Sequence, residues 1–370
     1  MMGIANVPYI LKKAAWIVPA GFMYGTAPTF ILVWGSWRMA TALLPKKVYE
    51  VGDDFLYSLY QKLVLFFFEN CSGVKIVLSG DVESMTKAKE NVVMMMNHQC
   101  TVDWMVADML AVRQGSIGHI RYILKNSLRW APIYGWYFRQ HSCIYVKRSG
   151  KFEEKTAINQ LQMMVDDNTP FWMVVFPEGT RYNPSYPNII AKSQQYAKDQ
   201  DLEPLRNVLY PRYKAMQLCL NQLRSKMDAV YDVTVAYSDT THEKTGSRIT
   251  APGLSAFLAG KSRELHVHVK KVSLSDVPKQ EEQLKQWLYE RYQIKDQMMT
   301  DFYEGKGEKR GRLDPCHETS NLSLRHTLPA FLFWSAFNVP LWMTALGRQV
   351  YWQSMLASTV IGWIWMGIVP

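Results

Sequence analysis

His98 and Asp103 are a histidine and a carboxylate, five residues apart, that could act together as an acid–base pair, in the stretch Asn97-His98-Gln99-Cys100-Thr101-Val102-Asp103. On a regular helix, positions i and i+5 lie about 140° apart, so these two side chains would not meet. They meet if His98 lies in the loop after a strand at 92–96 and Asp103 lies in the first turn of the next helix. The carboxylate then fixes one imidazole tautomer, and the other ring nitrogen can take a proton from a hydroxyl group. A capping aspartate beside an unrelated histidine is the alternative.

A second stretch suited to chemistry is Phe176-Pro177-Glu178-Gly179-Thr180-Arg181. A predicted strand ends at Pro177, and Gly179 would let backbone N–H groups approach a ligand closely. Arg181 then offers a planar guanidinium group suited to a phosphate. Taken alone, the hexapeptide fits a strand-end turn with a local Glu–Arg ion pair equally well.

Both stretches follow short apolar runs that predict buried strands. Such runs, bounded by turn-type residues, occur at 75–78, 92–96, 143–146, 171–176, 231–237 and 265–272, and helical patterns occur at 101–112, 152–165 and 280–303. Strands that alternate with helices predict an α/β fold with a mixed, largely parallel sheet flanked by helices. Because loops at the ends of parallel strands share one edge of a sheet, we expect the two stretches to lie together. An oriented base beside a phosphate-binding loop would suit attack by a hydroxyl group carried on a phosphate-bearing molecule.

Three long segments, 14–37, 327–347 and 349–370, contain no charged side chain. A helix of roughly 20 apolar residues crosses a hydrocarbon core of about 30 Å, so each segment is long enough to span a bilayer. Only Arg348 separates the last two, and they fit two spans, a tight hairpin or two interfacial helices. The predicted organisation is an N-terminal membrane segment (1–48), an α/β domain (49–303), a linker (304–325) and a C-terminal hydrophobic helix pair (326–370).

The charge balance and the cysteines exclude several classes of function. The 42 Lys and Arg exceed the 32 Asp and Glu, which favours contact with anionic lipid or a phosphorylated ligand. No basic block with interleaved aromatics occurs, so nucleic acid is not an expected partner. The five cysteines are scattered without C-x-x-C spacing, which predicts no disulfide framework and no zinc site, in a catalytic domain that faces the reducing cytosol. His266 and His268 alternate along a strand without a partner at ligand spacing, so no metal site is predicted.

The two stretches and two further blocks resemble the glycerophosphate and lysophospholipid acyltransferase family. One block runs from Lys125 through Pro132, Gly135, Trp136 and Phe138 to Arg148, and the other is Leu209-Tyr210-Pro211-Arg212. Four ordered blocks within 50–303 are more specific than any single motif. Within the family, the sequence looks most similar to the lysophosphatidylglycerol acyltransferases. It departs from the family pattern at Ala215, where glycine is usual, and this leaves acceptor specificity open.

The resemblance implies an acyl-CoA-dependent mechanism without a bound cofactor. His98 would be the general base on a glycerol hydroxyl of a lysophospholipid, such as lysophosphatidylglycerol or lysophosphatidylethanolamine, and Asp103 would orient it. The hydroxyl would attack the acyl-CoA thioester directly, without a covalent enzyme intermediate. Phosphates of the acceptor or of CoA would be bound by residues of the later blocks: Glu178, Gly179, Arg181, Arg148 and Lys125. Eukaryotic lipid-remodelling members imply an endoplasmic reticulum membrane.

Two other functions fit the same sequence. The acceptor could be a neutral monoacylglycerol, with Arg148 and Arg181 serving CoA alone, or the protein could be a non-catalytic lipid-binding protein on the same fold. Cys100, two residues after His98, is interpreted as a small buried residue and not as a nucleophile.

Overall fold

The structure is a computed structural model that describes residues 15–147, 154–242, 245–307 and 310–368. Its strands are β1 (Lys75–Gly80), β2 (Val92–Met96), β3 (Ile120–Lys125), β4 (Ile144–Val146), β5 (Trp172–Val175), β6 (Ala229–Tyr237), β7 (Glu264–Ser273) and β8 (His317–Ser320). They form an eight-stranded sheet in the order β4-β3-β5-β2-β6-β7-β1-β8. Neighbouring strands are parallel except for the antiparallel pairs β6/β7 and β1/β8. The prediction of a mixed, largely parallel sheet is confirmed.

Helices cover both faces of the sheet. The α-helices are α1 (Ile17–Ala40), α2 (Lys46–Leu65), α3 (Val82–Thr86), α4 (Trp104–Gln114), α5 (Tyr134–Gln140), α6 (Glu154–Asp166), α7 (Pro187–Asp199), α8 (Tyr213–Leu223), α9 (Leu254–Leu258), α10 (Glu281–Glu304), α11 (Leu324–Met343) and α12 (Ala345–Ile368). One core cluster joins the sheet to α1, α2, α4, α5 and α11, and a second joins the other face to α6, α8 and α10.

Strand β2 shows why the central strands are apolar throughout. Successive side chains of a strand point to opposite faces, so Val92, Met94 and Met96 enter the first core cluster while Val93 and Met95 enter the second. All five are fully buried. A strand covered on both faces has no solvent side to mark with polar residues, which is why its sequence is one continuous apolar run.

Two strands were not predicted. Strand β3 has Arg121 at its second position and Lys125 at its end, and β8 has the sequence HETS. Neither strand is a continuous apolar run. Strand β8 lies at the edge of the sheet, where it pairs with β1 inside the segment expected to be a linker. Its backbone hydrogen bonds, and not its side chains, make it a strand, and periodicity does not detect these.

The terminal helices contain the long apolar segments. By length and composition, α1 could cross a membrane, and α11 and α12 pass the same test only together, with a bend of 107° between them. Helix α1 is also attached to the α/β domain by polar contacts. The Trp34 indole donates to Asp53 at 2.8 Å, and the Thr29 hydroxyl donates to Asn338 of α11 at 2.6 Å. The N-terminal and C-terminal helices are thus bonded to each other and to the domain.

Candidate active site

The site begins where β2 ends. The Asn97 side chain accepts from the backbone N–H of Val235 at 2.7 Å and donates to its carbonyl at 3.0 Å. The backbone pairing of β2 with β6 ends at Met96, and beyond it the side-chain amide of Asn97 makes the two hydrogen bonds to β6 that a backbone would otherwise make. The main chain is free to turn away from the sheet at this point, and His98 comes to lie at the edge formed by the carboxyl ends of the parallel strands.

His98 and Asp103 are in direct contact. Nδ1 of His98 lies 2.7 Å from Oδ2 of Asp103, which is the residue just before α4. The loop brings the two side chains together as the spacing predicted, because the chain between them is not helical. The carboxylate accepts a hydrogen bond from the Nδ1–H group, which leaves Nε2 as the nitrogen that can take a proton from a substrate. The imidazole is 17% exposed, and the ring of Phe176 packs against it with centroids 4.4 Å apart.

Asp103 is buried but well hydrogen-bonded. Oδ2 also accepts from the backbone N–H groups of Gln99 and Cys100, at 2.5 and 2.9 Å. Oδ1 accepts from the Tyr237 hydroxyl at 2.6 Å. Burial alone would raise the pKa of Asp103, but the hydrogen bonds from His98, Cys100 and Tyr237 outweigh it and lower that pKa. Asp103 is therefore an anion at neutral pH, the form that can orient an imidazole.

Cys100 is not placed for nucleophilic chemistry. Its thiol is buried and donates to Oδ1 of Asp103 at 3.0 Å. Burial, together with the nearby Asp103 carboxylate, raises the pKa of the Cys100 thiol well above its usual value. The thiolate is the nucleophilic form of cysteine, so this thiol is unreactive at neutral pH.

Glu178 lies inside the protein between two loops. One carboxylate oxygen accepts from the backbone N–H of His98 at 2.7 Å, and the other accepts from that of Leu209 at 3.0 Å. Burial raises the pKa of Glu178 to about 8, although both hydrogen bonds act in the opposite direction. The predicted acceptor-binding role of Glu178 would therefore have to act through the loops that it holds, since its carboxylate faces their backbones.

Gly179 forms the turn that follows. Its φ of +66° lies in the left-handed region that side chains disfavour, and its N–H bonds to the Phe176 carbonyl at 2.9 Å. Arg181 follows on the surface, exposed and without a hydrogen bond or ion pair to any described residue. The backbone N–H of Tyr182 then donates to the His98 carbonyl at 2.7 Å. Gly179 and Arg181 thus lie on a loop that is bonded directly to the loop of the base.

Lys125 and Arg148 are the two remaining residues that the sequence predicted for phosphate binding. Lys125 is the exposed last residue of β3, at the same edge of the sheet as His98. Tyr122 of β3 pairs with Val174 of the parallel strand β5. Lys125 and Pro177 each lie three residues further along, so they are at the same height in the sheet. Arg148 lies outside the described residues.

Sequence patterns did not indicate Tyr237 or Arg248. Arg248 donates to the Gln99 side chain at 2.6 Å, and its guanidinium lies over the rings of Tyr182 and Tyr303, 4.2 and 4.7 Å from their centroids. These contacts hold the loop that follows His98. Tyr237 and Arg248 are 134 and 149 residues from their partners, and neither lies in a recognisable motif.

The described part of the chain contains one group of potential metal ligands, formed by Asp53, Asp54 and His141. It lies at the opposite edge of the sheet, near the start of β3. The guanidinium of Arg121 bonds to His141 at 2.6 Å and to Asp54 at 2.8 Å, which places a cation among these side chains already. His266 and His268 have separate partners, Glu264 and Ser79.

The sequence of this chain is similar to those of known acyltransferases. Residues 79–238 match the family model described as Acyltransferase, and 256–334 match Acyltransferase C-terminus. The Mus musculus protein named 1-acyl-sn-glycerol-3-phosphate acyltransferase epsilon is 42% identical over 354 residues, which cover 95% of this chain and 96% of that protein. Probable 1-acyl-sn-glycerol-3-phosphate acyltransferase 5 of Arabidopsis thaliana is 33% identical, over 80% of this chain and 75% of that protein. Among solved structures, the 1-acyl-sn-glycerophosphate acyltransferase PlsC of Thermotoga maritima is 14% identical with a TM-score of 0.43, covering 78% of this chain and 98% of that one.

Proposed function

This chain belongs to the glycerophosphate and lysophospholipid acyltransferase family, and on that premise we propose that it transfers an acyl group from acyl-CoA to the free hydroxyl of a 1-acyl-sn-glycerol 3-phosphate. This acceptor is the one that the names of the mouse and Arabidopsis relatives specify. Lysophosphatidylglycerol and lysophosphatidylethanolamine, expected from the sequence, become competing acceptors. Monoacylglycerol remains the neutral alternative.

In the proposed mechanism, Nε2 of His98 takes the proton of the acceptor hydroxyl while Nδ1 stays bonded to Asp103. The hydroxyl oxygen attacks the thioester carbonyl, so an ester C–O bond forms and the C–S bond breaks. The imidazolium returns its proton to the leaving CoA thiolate. Asp103 stabilises the transient imidazolium by its negative charge. The buried thiol of Cys100 supports direct transfer without an acyl-enzyme.

Positive groups on the same edge would hold the phosphates of the substrates. Arg181 is exposed and has no ionic partner among the described residues, and Lys125 is exposed two strands away from β2. Adjacent strands are about 4.8 Å apart, so Lys125 is roughly 10 Å from the end of β2, within the reach of a phosphorylated substrate. We assign Arg181 to the acceptor and Lys125, together with Arg148, to phosphates of the acceptor or of CoA.

The observation that carries the proposal is the bond between His98 and Asp103 at the edge that also bears Arg181. The test uses labelled acyl-CoA with 1-acylglycerol 3-phosphate, lysophosphatidylglycerol, lysophosphatidylethanolamine and monoacylglycerol. His98→Ala should lower acyl transfer by on the order of 10²- to 10⁴-fold, the usual contribution of a general base. His317→Ala, which removes an exposed histidine from β8, is the control and should leave the rate unchanged.

Each alternative has its own outcome in that experiment. Equal rates for wild type and His98→Ala would reject the assigned base. Faster turnover of monoacylglycerol than of any phosphate-bearing acceptor would establish the neutral acceptor. A wild-type protein that binds lysophospholipid but transfers no acyl group would be the non-catalytic lipid-binding protein.

We further propose that α1 and the α11–α12 pair hold the protein at the endoplasmic reticulum membrane, with the catalytic domain in the cytosol. Exposed apolar side chains on these segments support contact with lipid, among them Val18, Met39, Met343 and Ile368. Cys316 is an exposed free thiol outside the terminal helices. A membrane-impermeant maleimide should label Cys316 in sealed microsomes. Labelling only after detergent is added would place this face in the lumen.

A further inference from the structure

Arg212 lies directly against the turn at Gly179. A Cβ atom at Gly179 would be 3.4 Å from Cδ of Arg212, 3.6 Å from its Nε and 3.8 Å from its Cζ. The backbone N–H of Arg212 donates to the Pro177 carbonyl at 2.7 Å. The side chain of Arg212 therefore runs along the loop that carries Arg181, at the edge of the sheet where His98 lies.

The positive charge of Arg212 is not neutralised. Like Arg181, it is exposed and has no hydrogen bond or ion pair from its side chain to any described residue. Arg206, on the same loop, differs because it pairs with Glu304 at 3.1 Å. Helix α8 begins immediately after Arg212 and has no acidic residue in its first turn, where Lys214 lies. Two unneutralised guanidinium groups on bonded loops favour an anion, and their planar geometry fits phosphate oxygens.

Two carboxylates fix the loop that carries Arg212. Asp296 of α10 accepts from the backbone N–H groups of Arg206, Asn207 and Val208, at 2.9, 2.5 and 3.3 Å. Glu178 accepts from the next N–H, that of Leu209, with one oxygen and from the N–H of His98 with the other. Because one side chain holds both loops, the separation between the base and the Arg212 loop is set by Glu178.

We propose that Arg212 is a second binding residue for a phosphate monoester, which it takes together with Arg181, and that this phosphate belongs to the acyl acceptor. Binding there would place the acceptor hydroxyl at a fixed distance from Nε2 of His98. Glu178 is a positioning residue in this arrangement. The inference rests on the proposed function, since it assumes a phosphate-bearing acceptor, and the 3′-phosphate of CoA is the other source of the same chemistry.

The decisive variant is Arg212→Gln, which keeps an aliphatic stem against Gly179 and removes the charge. We expect the KM for 1-acylglycerol 3-phosphate to rise on the order of 10- to 100-fold, the effect of losing charge-assisted hydrogen bonds. The kcat at saturating acceptor and the KM for acyl-CoA should stay within about twofold of wild type. Arg212→Lys should give an intermediate KM because a point charge replaces the planar fork. Arg206→Ala, on the same loop, is the control and should not change the KM.

Two further measurements separate the possible causes. A rise in the KM for acyl-CoA that disappears with acyl-dephospho-CoA would assign Arg212 to the donor and overturn the proposal. An equal loss of kcat for phosphate-bearing and neutral acceptors, with KM unchanged, would show a purely structural role and also overturn it. If the proposed function is wrong, the wild-type protein will not acylate 1-acylglycerol 3-phosphate, and this is measured before any variant is tested.

Discussion

Tyr237 donates its phenolic hydrogen to Oδ1 of Asp103 at 2.6 Å, from the last residue of β6. This bond stabilises the ionised carboxylate on the oxygen that does not face His98. The carboxylate that orients the base thus depends on a neighbouring strand as well as on its own loop.

Replacement of this tyrosine by phenylalanine tests that dependence. Tyr237→Phe removes one of the bonds that lower the pKa of Asp103, so that pKa should rise and the acid limit of activity should move to higher pH. We expect kcat/KM at neutral pH to fall roughly tenfold, as for one hydrogen bond to a charged group. The measurement is kcat/KM from pH 5 to pH 9. Tyr231→Phe is the matched control, because Tyr231 is a buried tyrosine of the same strand whose hydroxyl bonds to Glu90. Identical pH profiles for both variants would contradict this role.

Glu178 predicts a dependence of stability on pH. Its folded-state pKa of about 8 lies above the ordinary 4.5, so the folded protein retains a proton that the unfolded chain releases. The corresponding stability is complete below pH 4.5 and is lost as the pH rises towards 8. Urea unfolding of wild type and Glu178→Gln should show the free energy of wild type falling relative to the variant across this window. A difference that is constant with pH would refute the raised pKa.

The same Glu178→Gln variant should also lose activity. A glutamine presents one oxygen and one NH₂ group, so one of the backbone N–H groups of His98 and Leu209 is left facing a donor. A buried donor without an acceptor costs about 1–3 kcal/mol, and we expect the free energy of unfolding at pH 6 to fall by that amount. Steady-state kinetics should show a lower kcat if the His98 loop loosens. Full activity would mean that Leu209, and not His98, loses its bond.

Gly179 offers a test with an internal control. An alanine there would meet both the left-handed φ of +66° and the side chain of Arg212 at 3.4 Å. Gly246 has the same φ of +66° with nothing within 4 Å, so Gly246→Ala carries the backbone strain alone. Both variants should lose about 1–2 kcal/mol of stability, but only Gly179→Ala should raise the KM for the acceptor. Equal kinetics for the two would show that the Gly179 turn does not contact substrate.

Asp296 should be coupled to Arg212. Asp296→Ala removes the acceptor for three consecutive backbone N–H groups, which frees the loop that presents Arg212. We expect a higher KM for the acceptor and, in a double-mutant cycle with Arg212→Gln, a combined effect smaller than the sum. Asp301→Ala, further along α10, is the control. Strictly additive effects of the two substitutions on the KM would show that Asp296 and Arg212 act independently.

The central part of the fold was predictable because buried strands such as β2 and β5 are continuous apolar runs. Strands β3 and β8 were not, since the sheet pairs their backbones without requiring apolar side chains. The meeting of His98 with Asp103 followed from a strand end and a spacing of five, both of which are local.

The rest of the site depends on distant residues. Tyr237 and Arg248 reach the base loop only because β6 lies beside β2 and the segment after β6 folds back over it. Glu178 shows a different limit. Its neighbours in sequence suggested a surface ligand, whereas its burial between two backbones is decided by loops 80 and 31 residues away. A local sequence pattern shows which residue types are present, but whether a side chain is buried depends on how distant segments pack in the folded chain.

The hydrogen bond from Thr29 to Asn338 has a consequence for the order of synthesis. Its two residues are 309 positions apart, so the ribosome completes nearly the whole α/β domain before the partner of Thr29 exists. Until then, Thr29 on the largely apolar α1 lacks the acceptor that it has in the folded chain. Asn338 also donates to Thr26, so two hydrogen bonds between polar side chains join α1 to α11 once α11 has been synthesised. We therefore expect this contact between α1 and α11 to form only after every strand of the sheet has been synthesised.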